Sequence, residues 1–253
     1  MNKNERIGIF DSGIGGVTVL KEILRILPNE NYIYYSDSKN NPYGDKSNEE
    51  IFKICDEIVK KFIEQKCKAI VIACNTASAK VAKLLRNKYP KEIIIAIEPA
   101  YKMVHDFAYE KTTLVMATKG TIESEKFNEL YKRYNNKKTF LLPCVGLADI
   151  IEEGNNEKIQ KYLKENINKY TGIVENVVLG CTHYPLIQEQ IKEILGDVNF
   201  FNGANSLAKH LKEVLKEKNL INERKSEGKV EFIDSSKSRL KKERFYTICY
   251  NSL

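Results

Sequence analysis

Short apolar runs rich in Ile and Val alternate along this chain with longer stretches in which apolar residues recur every three or four positions. Continuous runs suit strands buried on both faces and the longer period suits helices with one buried stripe, so the alternation predicts an α/β protein with mainly parallel sheets. The runs place strands at Arg6–Phe10, Tyr32–Tyr35, Ala69–Ala73, Ile93–Ile97, Thr113–Ala117, Thr139–Leu142 and Asn176–Leu179, with Val198–Phe201, Val230–Ile233 and Phe245–Cys249 closing the series. Helices fill the intervals. The clearest starts at Ser47, whose spacing to Glu50 makes a capping box, and puts Ile51, Ile54, Cys55, Ile58 and Phe62 on one face, which makes Cys55 a core residue.

No Pro- or Gly-rich linker divides the chain, but an internal echo does. Ile70-Val-Ile-Ala-Cys74-Asn-Thr-Ala and Val177-Val-Leu-Gly-Cys181-Thr-His-Tyr each set a cysteine directly after a buried-type strand and before a helical pattern, 107 residues apart. The echo predicts two pseudo-symmetric α/β lobes, one of residues 1–97 plus 208–253 and the other of residues 98–207. Ligands of open α/β sheets lie outside the carboxyl ends of the strands. Both cysteines then face one cleft if the lobes pack face to face.

At 253 residues, 42% apolar and 30% charged, the chain has enough material for real cores and is not disordered. Its longest apolar stretches fall far short of the ~20 residues of a bilayer-spanning helix, and its first six residues are too polar for a signal peptide, so no membrane association and a cytoplasmic location are expected. Six cysteines without close CxxC pairs read as reduced thiols rather than a disulfide framework or zinc site. The net charge of +7 does not imply nucleic acid, because Lys and Glu are interleaved; only Lys237–Arg244 is a local basic run open to an acidic partner.

A thiol at a strand-to-helix junction sits near free backbone N–H groups and the positive end of the helix dipole, which lowers its pKa. Cys74 and Cys181 share that setting, whereas Cys67 precedes a strand, Cys144 follows Pro143 in a loop and Cys249 lies in the last strand pattern. Beside them, Asn75, Thr76 and Thr182 add polar groups suited to a carboxylate, although Asn75 also fits a plain helix N-cap. His183 lies next to the second thiol and Asp11 directly follows the first strand, so each can set the protonation of a cysteine; His105 and His210 read as bystanders. Phe10-Asp11-Ser12-Gly13-Ile14-Gly15-Gly16 fails the dinucleotide fingerprint because Thr18 stands where its last glycine belongs. Its glycines instead predict a tight turn and close approach to a small ligand. Two other readings stay open: a zinc site of Cys74, Cys181, His183 and Asp11, and a basic binding module without catalysis.

Taken together, these segments resemble one family, the cofactor-independent glutamate racemases of the aspartate/glutamate racemase superfamily. The resemblance is carried by Phe10–Gly16, Asn41-Pro42-Tyr43-Gly44, Ala73–Ser78, Ala117–Thr121, Ile151–Gly154 and Leu179–Leu186, in family order. It implies that Cys74 and Cys181 are the catalytic acid/base pair, Cys74 acting on D-glutamate and Cys181 on L-glutamate, with Asp11, Glu152 and His183 in support. It further implies that Ser12, Tyr43, Gly44, Asn75, Thr76, Thr118, Thr121 and Thr182 hold the substrate's carboxylates and amino group; among them Thr182, with neighbouring backbone N–H groups, is the candidate for the distal carboxylate. A homodimer with no metal or other cofactor, supplying D-glutamate for peptidoglycan, is the corresponding expectation. The nearest alternative is an aspartate or broader-specificity racemase, in whose pattern glutamate usually stands at the position of His183. No extension precedes the first strand, so activation by a cell-wall precursor is not expected.

Overall fold

The computed structural model describes residues 1–250. In chain order the elements are β1 (Ile7–Asp11), α1 (Val17–Ile26), β2 (Tyr32–Ser36), α2 (Asn48–Glu64), β3 (Ala69–Ile72), α3 (Asn75–Lys88), β4 (Ile94–Ala96) and α4 (Tyr101–Ala108). There follow β5 (Thr113–Ala117), α5 (Lys119–Ile122), α6 (Glu125–Tyr134), β6 (Thr139–Pro143), α7 (Leu147–Glu153), α8 (Asn156–Ile167) and β7 (Asn176–Gly180). The chain continues through α9 (Gln188–Leu195), β8 (Asn199–Phe201), α10 (Ala204–Glu217), β9 (Val230–Asp234) and α11 (Arg239–Tyr250). Ser47 caps α2 as its spacing requires: its Oγ accepts from Glu50 N–H while its own N–H donates to Glu50 Oε2.

All strand pairings are parallel, in two sheets of order β4-β3-β1-β2-β9 and β6-β5-β7-β8. Each sheet carries apolar clusters on both faces, so its inner strands have no polar face, which is why they read as unbroken apolar runs. In the first sheet the chain leaves β1 for β2 on one side and returns to β3 on the other. In the second it leaves β5 for β6 and returns to β7. Each sheet therefore has a topological switch, at β1/β3 and at β5/β7, the places where α/β sheets open a crevice. Cys74 follows β3 and Cys181 follows β7, one thiol at each switch.

One element differs from expectation. Residues 245–249 form the interior of α11 rather than a strand: Phe245 and Cys249, four positions apart, are both fully buried while Thr247 between them is exposed. Alternation suggests a strand here, but the buried spacing is helical. Phe245 is held by tertiary contacts, its ring lying 4.2 Å from Phe232 and 4.8 Å from Tyr34 between centroids.

Candidate active site

A single cleft is lined by residues that follow strands of both sheets. From the first come Ser12 after β1, Tyr43 and Gly44 in the loop after β2, and Cys74, Asn75 and Thr76 after β3. From the second come Thr118 after β5 and Cys181, Thr182 and His183 after β7. The two cysteines, far apart in sequence, therefore share one space. Cys74 is itself the N-cap of α3, and Asn75 is the first helical residue rather than the cap. Its thiol donates to Ser12 Oγ over 3.8 Å.

Behind the cleft lie the carboxylates. Asp11 is fully buried: its Oδ1 accepts from Gly13 N–H at 3.0 Å and its Oδ2 from the Thr182 hydroxyl at 3.0 Å, which joins the first sheet to the second. Because that hydroxyl proton is committed to Asp11, Thr182 offers a carboxylate its backbone N–H rather than its side-chain donor. Glu152, on α7, has its Oε2 2.7 Å from His183 Nε2 and accepts there also from Ile14 N–H at 2.9 Å; its Oε1 accepts from Lys241 Nζ at 2.9 Å. The other ring nitrogen of His183, Nδ1, lies 3.8 Å from Cys181 Sγ.

These contacts explain the glycines of the 13–16 loop. A Cβ on Gly13 would come within 2.6 Å of Glu152 Oε2, and one on Gly15 within 2.4 Å of His183 Nδ1. Neither backbone is left-handed. Their close approach is to the His183–Glu152 pair, not to a small ligand as the sequence suggested, because the loop packs across the gap between the sheets.

The hydroxyls form a second group. Thr118 donates to Thr121 at 2.9 Å, and Thr76 Oγ lies 2.9 Å from Thr118 Oγ and 3.4 Å from that of Thr121. Thr121 is fully buried behind this pair and does not reach the cleft wall. The Tyr43 hydroxyl donates to Asp37 at 2.7 Å, so its phenol proton is already used. Residues that sequence reasoning passed over also line the cleft: Asn41, Asp45, Lys119, Cys144 and Asp149. The signal for Cys144 and Asp149 was available, since both sit in the loop and helix start beyond the carboxyl end of β6; Asn41 lies inside a quoted motif, and its side-chain amide donates to Asp149 across the cleft mouth at 3.0 Å. His105 and His210 are exposed on α4 and α10.

Electrostatics divides the two sides. Burial, with the nearby Asp11 charge, pushes the Cys74 thiol up to about 12, against the Ala77 N–H and Ser12 that favour its thiolate. The helix start is present, but the desolvation of a buried sulfur outweighs it, reversing the expected lowering. On the other side, burial works against a charged His183, yet the hydrogen bonds and charges of Cys181 and Glu152 raise it well above the ordinary histidine value. Burial likewise opposes ionised Glu152, but His183, Ile14 N–H and Lys241 hold it down at about 2. The result is a buried imidazolium–carboxylate pair that places a positive partner beside Cys181. Asp11 moves the other way, raised by burial against His183 and its donors. All six cysteines are free, and among the described residues no three His, Cys, Asp or Glu side chains group as metal ligands. No helix among those residues is long and apolar enough to cross a membrane.

Two parallel α/β sheets meeting at their carboxyl ends over a pair of buried thiols define the class of this protein. The chain belongs to the Asp/Glu/hydantoin racemase family, whose sequence profile matches residues 7–211. It is similar to the glutamate racemase of Clostridium botulinum, with 41% identity over 241 residues and 93% of each chain, and to that of Clostridium perfringens, with 42% over 238 residues and 92% of each. Among solved structures, glutamate racemase from Francisella tularensis in complex with D-glutamate matches at TM-score 0.82 and 32% identity, covering 99% of this chain and 95% of its own. The Bacillus anthracis isoform RacE1 matches at TM-score 0.84 and 30% identity, covering 98% and 94% respectively.

Proposed function

We propose that this protein interconverts L- and D-glutamate by two-base proton transfer between Cys181 and Cys74, without a cofactor. The observation that carries the reading is the pair of thiols, one at each sheet's switch, lining one cleft. Inversion needs a base on each side of the α-carbon: a single base returning the proton to the face it left regenerates the starting enantiomer. In the L-to-D direction Cys181 takes the α-proton with imidazolium His183 beside it, while Cys74, kept a thiol by burial, supplies a proton to the opposite face. In the reverse direction their roles exchange. The carbanion between these steps is stabilised by prearranged donors in a water-poor site: the free N–H groups that begin α3, and the hydroxyl of Thr76. Ser12, Tyr43, Gly44, Asn75, Thr118 and Thr182 complete the substrate cradle in this proposal, Thr121 holds the Thr118 hydroxyl from behind, and Asp11, Glu152 and His183 set the charge around the two sulfurs.

The proposal extends to a cytoplasmic homodimer supplying D-glutamate for peptidoglycan, with lobes divided at about residues 97 and 208; α10 spans the second boundary. Purified protein given each enantiomer of glutamate, after dialysis against a chelator and with no cofactor added, is expected to bring the circular-dichroism signal to zero from either side. No change of rotation with glutamate would end the reading, and equal rates with aspartate would move it to a broader-specificity racemase. Thr76→Val removes a hydroxyl expected to hold substrate charge, and a hydrogen bond to a charged group is worth about 1.5–3 kcal/mol. KM for glutamate should therefore rise by roughly 10- to 100-fold. An unchanged KM in steady-state assays would remove Thr76 from the cradle.

A further inference from the structure

The basic run near the C-terminus has its acidic partner within the chain. Lys241 and Arg244 lie on α11, which packs on the first sheet, yet both reach the end of α7 on the second. Arg244 donates to the backbone carbonyls of Ile151 and Glu152 at the C-terminal end of that helix, the first of which also accepts from the capping Gly154 N–H. Lys241 does something different: its ammonium is the donor on Glu152 Oε1, at 2.9 Å. Oε2 of the same carboxylate is shared between Ile14 N–H and His183 Nε2. With both oxygens occupied, the plane of the carboxylate is fixed, and with it the imidazole whose far nitrogen lies 3.8 Å from Cys181 Sγ.

We propose that Lys241 is a positioning residue for Cys181, acting through Glu152 and His183, so that proton transfer on this side of the cleft depends on a side chain of the C-terminal helix. The inference rests on the proposed racemase function. Among the described residues no matching chain of contacts from a charged side chain of α11 runs to Cys74, whose side-chain partner is Ser12. Lys241 should therefore act on one side of the cleft and not the other. Its side chain is 29% exposed, against 7% for Glu152, and half-open ion pairs add little to stability. Replacing it should loosen the carboxylate without unfolding the protein.

Steady-state racemisation cannot expose such one-sidedness, since enantiomers have equal free energy and kcat/KM must match in the two directions for every variant. A reaction that needs one base can. With a β-chloro analogue of glutamate, a thiolate takes the α-proton, the C–H pair becomes a Cα=Cβ bond and chloride leaves with the C–Cl pair; hydrolysis of the product releases ammonium. Lys241→Gln should lower ammonium release from the L-analogue, served by Cys181, on the order of tenfold. Release from the D-analogue should stay within about twofold, and Lys241→Arg should recover most of the loss, because it keeps the charge on Oε1. An equal fall with both enantiomers, no fall, a fall confined to the D-analogue, or a loss that arginine does not relieve would overturn the role of Lys241. If the unmodified protein eliminates chloride from neither enantiomer, the racemase reading itself fails and this inference with it.

Discussion

Replacing either Cys74 or Cys181 with serine is expected to lower glutamate racemisation by about 10²- to 10⁴-fold, the usual contribution of a placed acid or base. The volume barely changes, so the fold should survive; what is lost is acidity, because an alcohol gives up its proton far less readily than a thiol. The two variants should fail in different ways. Cys74→Ser keeps Cys181 with its imidazolium neighbour and should still eliminate chloride from the L-analogue, while Cys181→Ser should retain activity toward the D-analogue alone. Racemisation within threefold of the unmodified protein for either variant, or both variants processing the same enantiomer, would end the two-base assignment.

The second large effect is on stability and lies away from the cleft. Lys68 immediately precedes β3, with its side chain fully enclosed; its ammonium donates to Glu30 Oε2 at 2.6 Å and to the carbonyls of Lys3 and Leu220 at 2.6 and 2.8 Å. Burial pushes this ammonium down, and the Glu30 hydrogen bond and charge work to keep it ionised. The other oxygen of Glu30 accepts from Asn222 N–H, so the pair fastens the start of β3, the turn before β2 and the segment after α10. Lys68→Met would leave the Glu30 carboxylate enclosed without its counter-charge, at a cost of about 3–5 kcal/mol. That is a large share of the ~5–15 kcal/mol that holds an ordinary domain. Urea unfolding should show the loss as an earlier midpoint, and the double variant Lys68→Met with Glu30→Leu should recover part of it, since no unpaired charge remains. A single variant as stable as the unmodified protein would show that the buried pair contributes nothing.

Both predictions depend on groups whose neighbours come from distant parts of the chain. Lys68 by sequence is one more lysine at the start of a strand, and its burial follows from the way residues 3, 30 and 220 close over it. Cys74 is similar. Its place between strand and helix is local and readable, but whether the helix start or the desolvation wins depends on how far residues such as Phe10, Ser12 and Tyr43, distant in sequence, bury the sulfur, and desolvation wins.

The sequence by itself determined the alternation of strands and helices, the cap at Ser47, the placing of each thiol at a strand end and the motifs that mark the family. These are written in short windows, as continuous apolar runs, the 3.6-residue period, the capping spacing and the turn residues. The tertiary structure decided the rest. It made 239–250 a helix, because Phe245 and Cys249 pack on the first sheet at helical spacing. It turned Gly13 and Gly15 toward Glu152 and His183, committed the Thr182 hydroxyl to Asp11 and brought Lys241 to a carboxylate 89 residues away. A contact at that separation leaves no period or spacing in the chain; it exists because two sheets bury their faces separately and then meet, carboxyl end to carboxyl end, across one cleft.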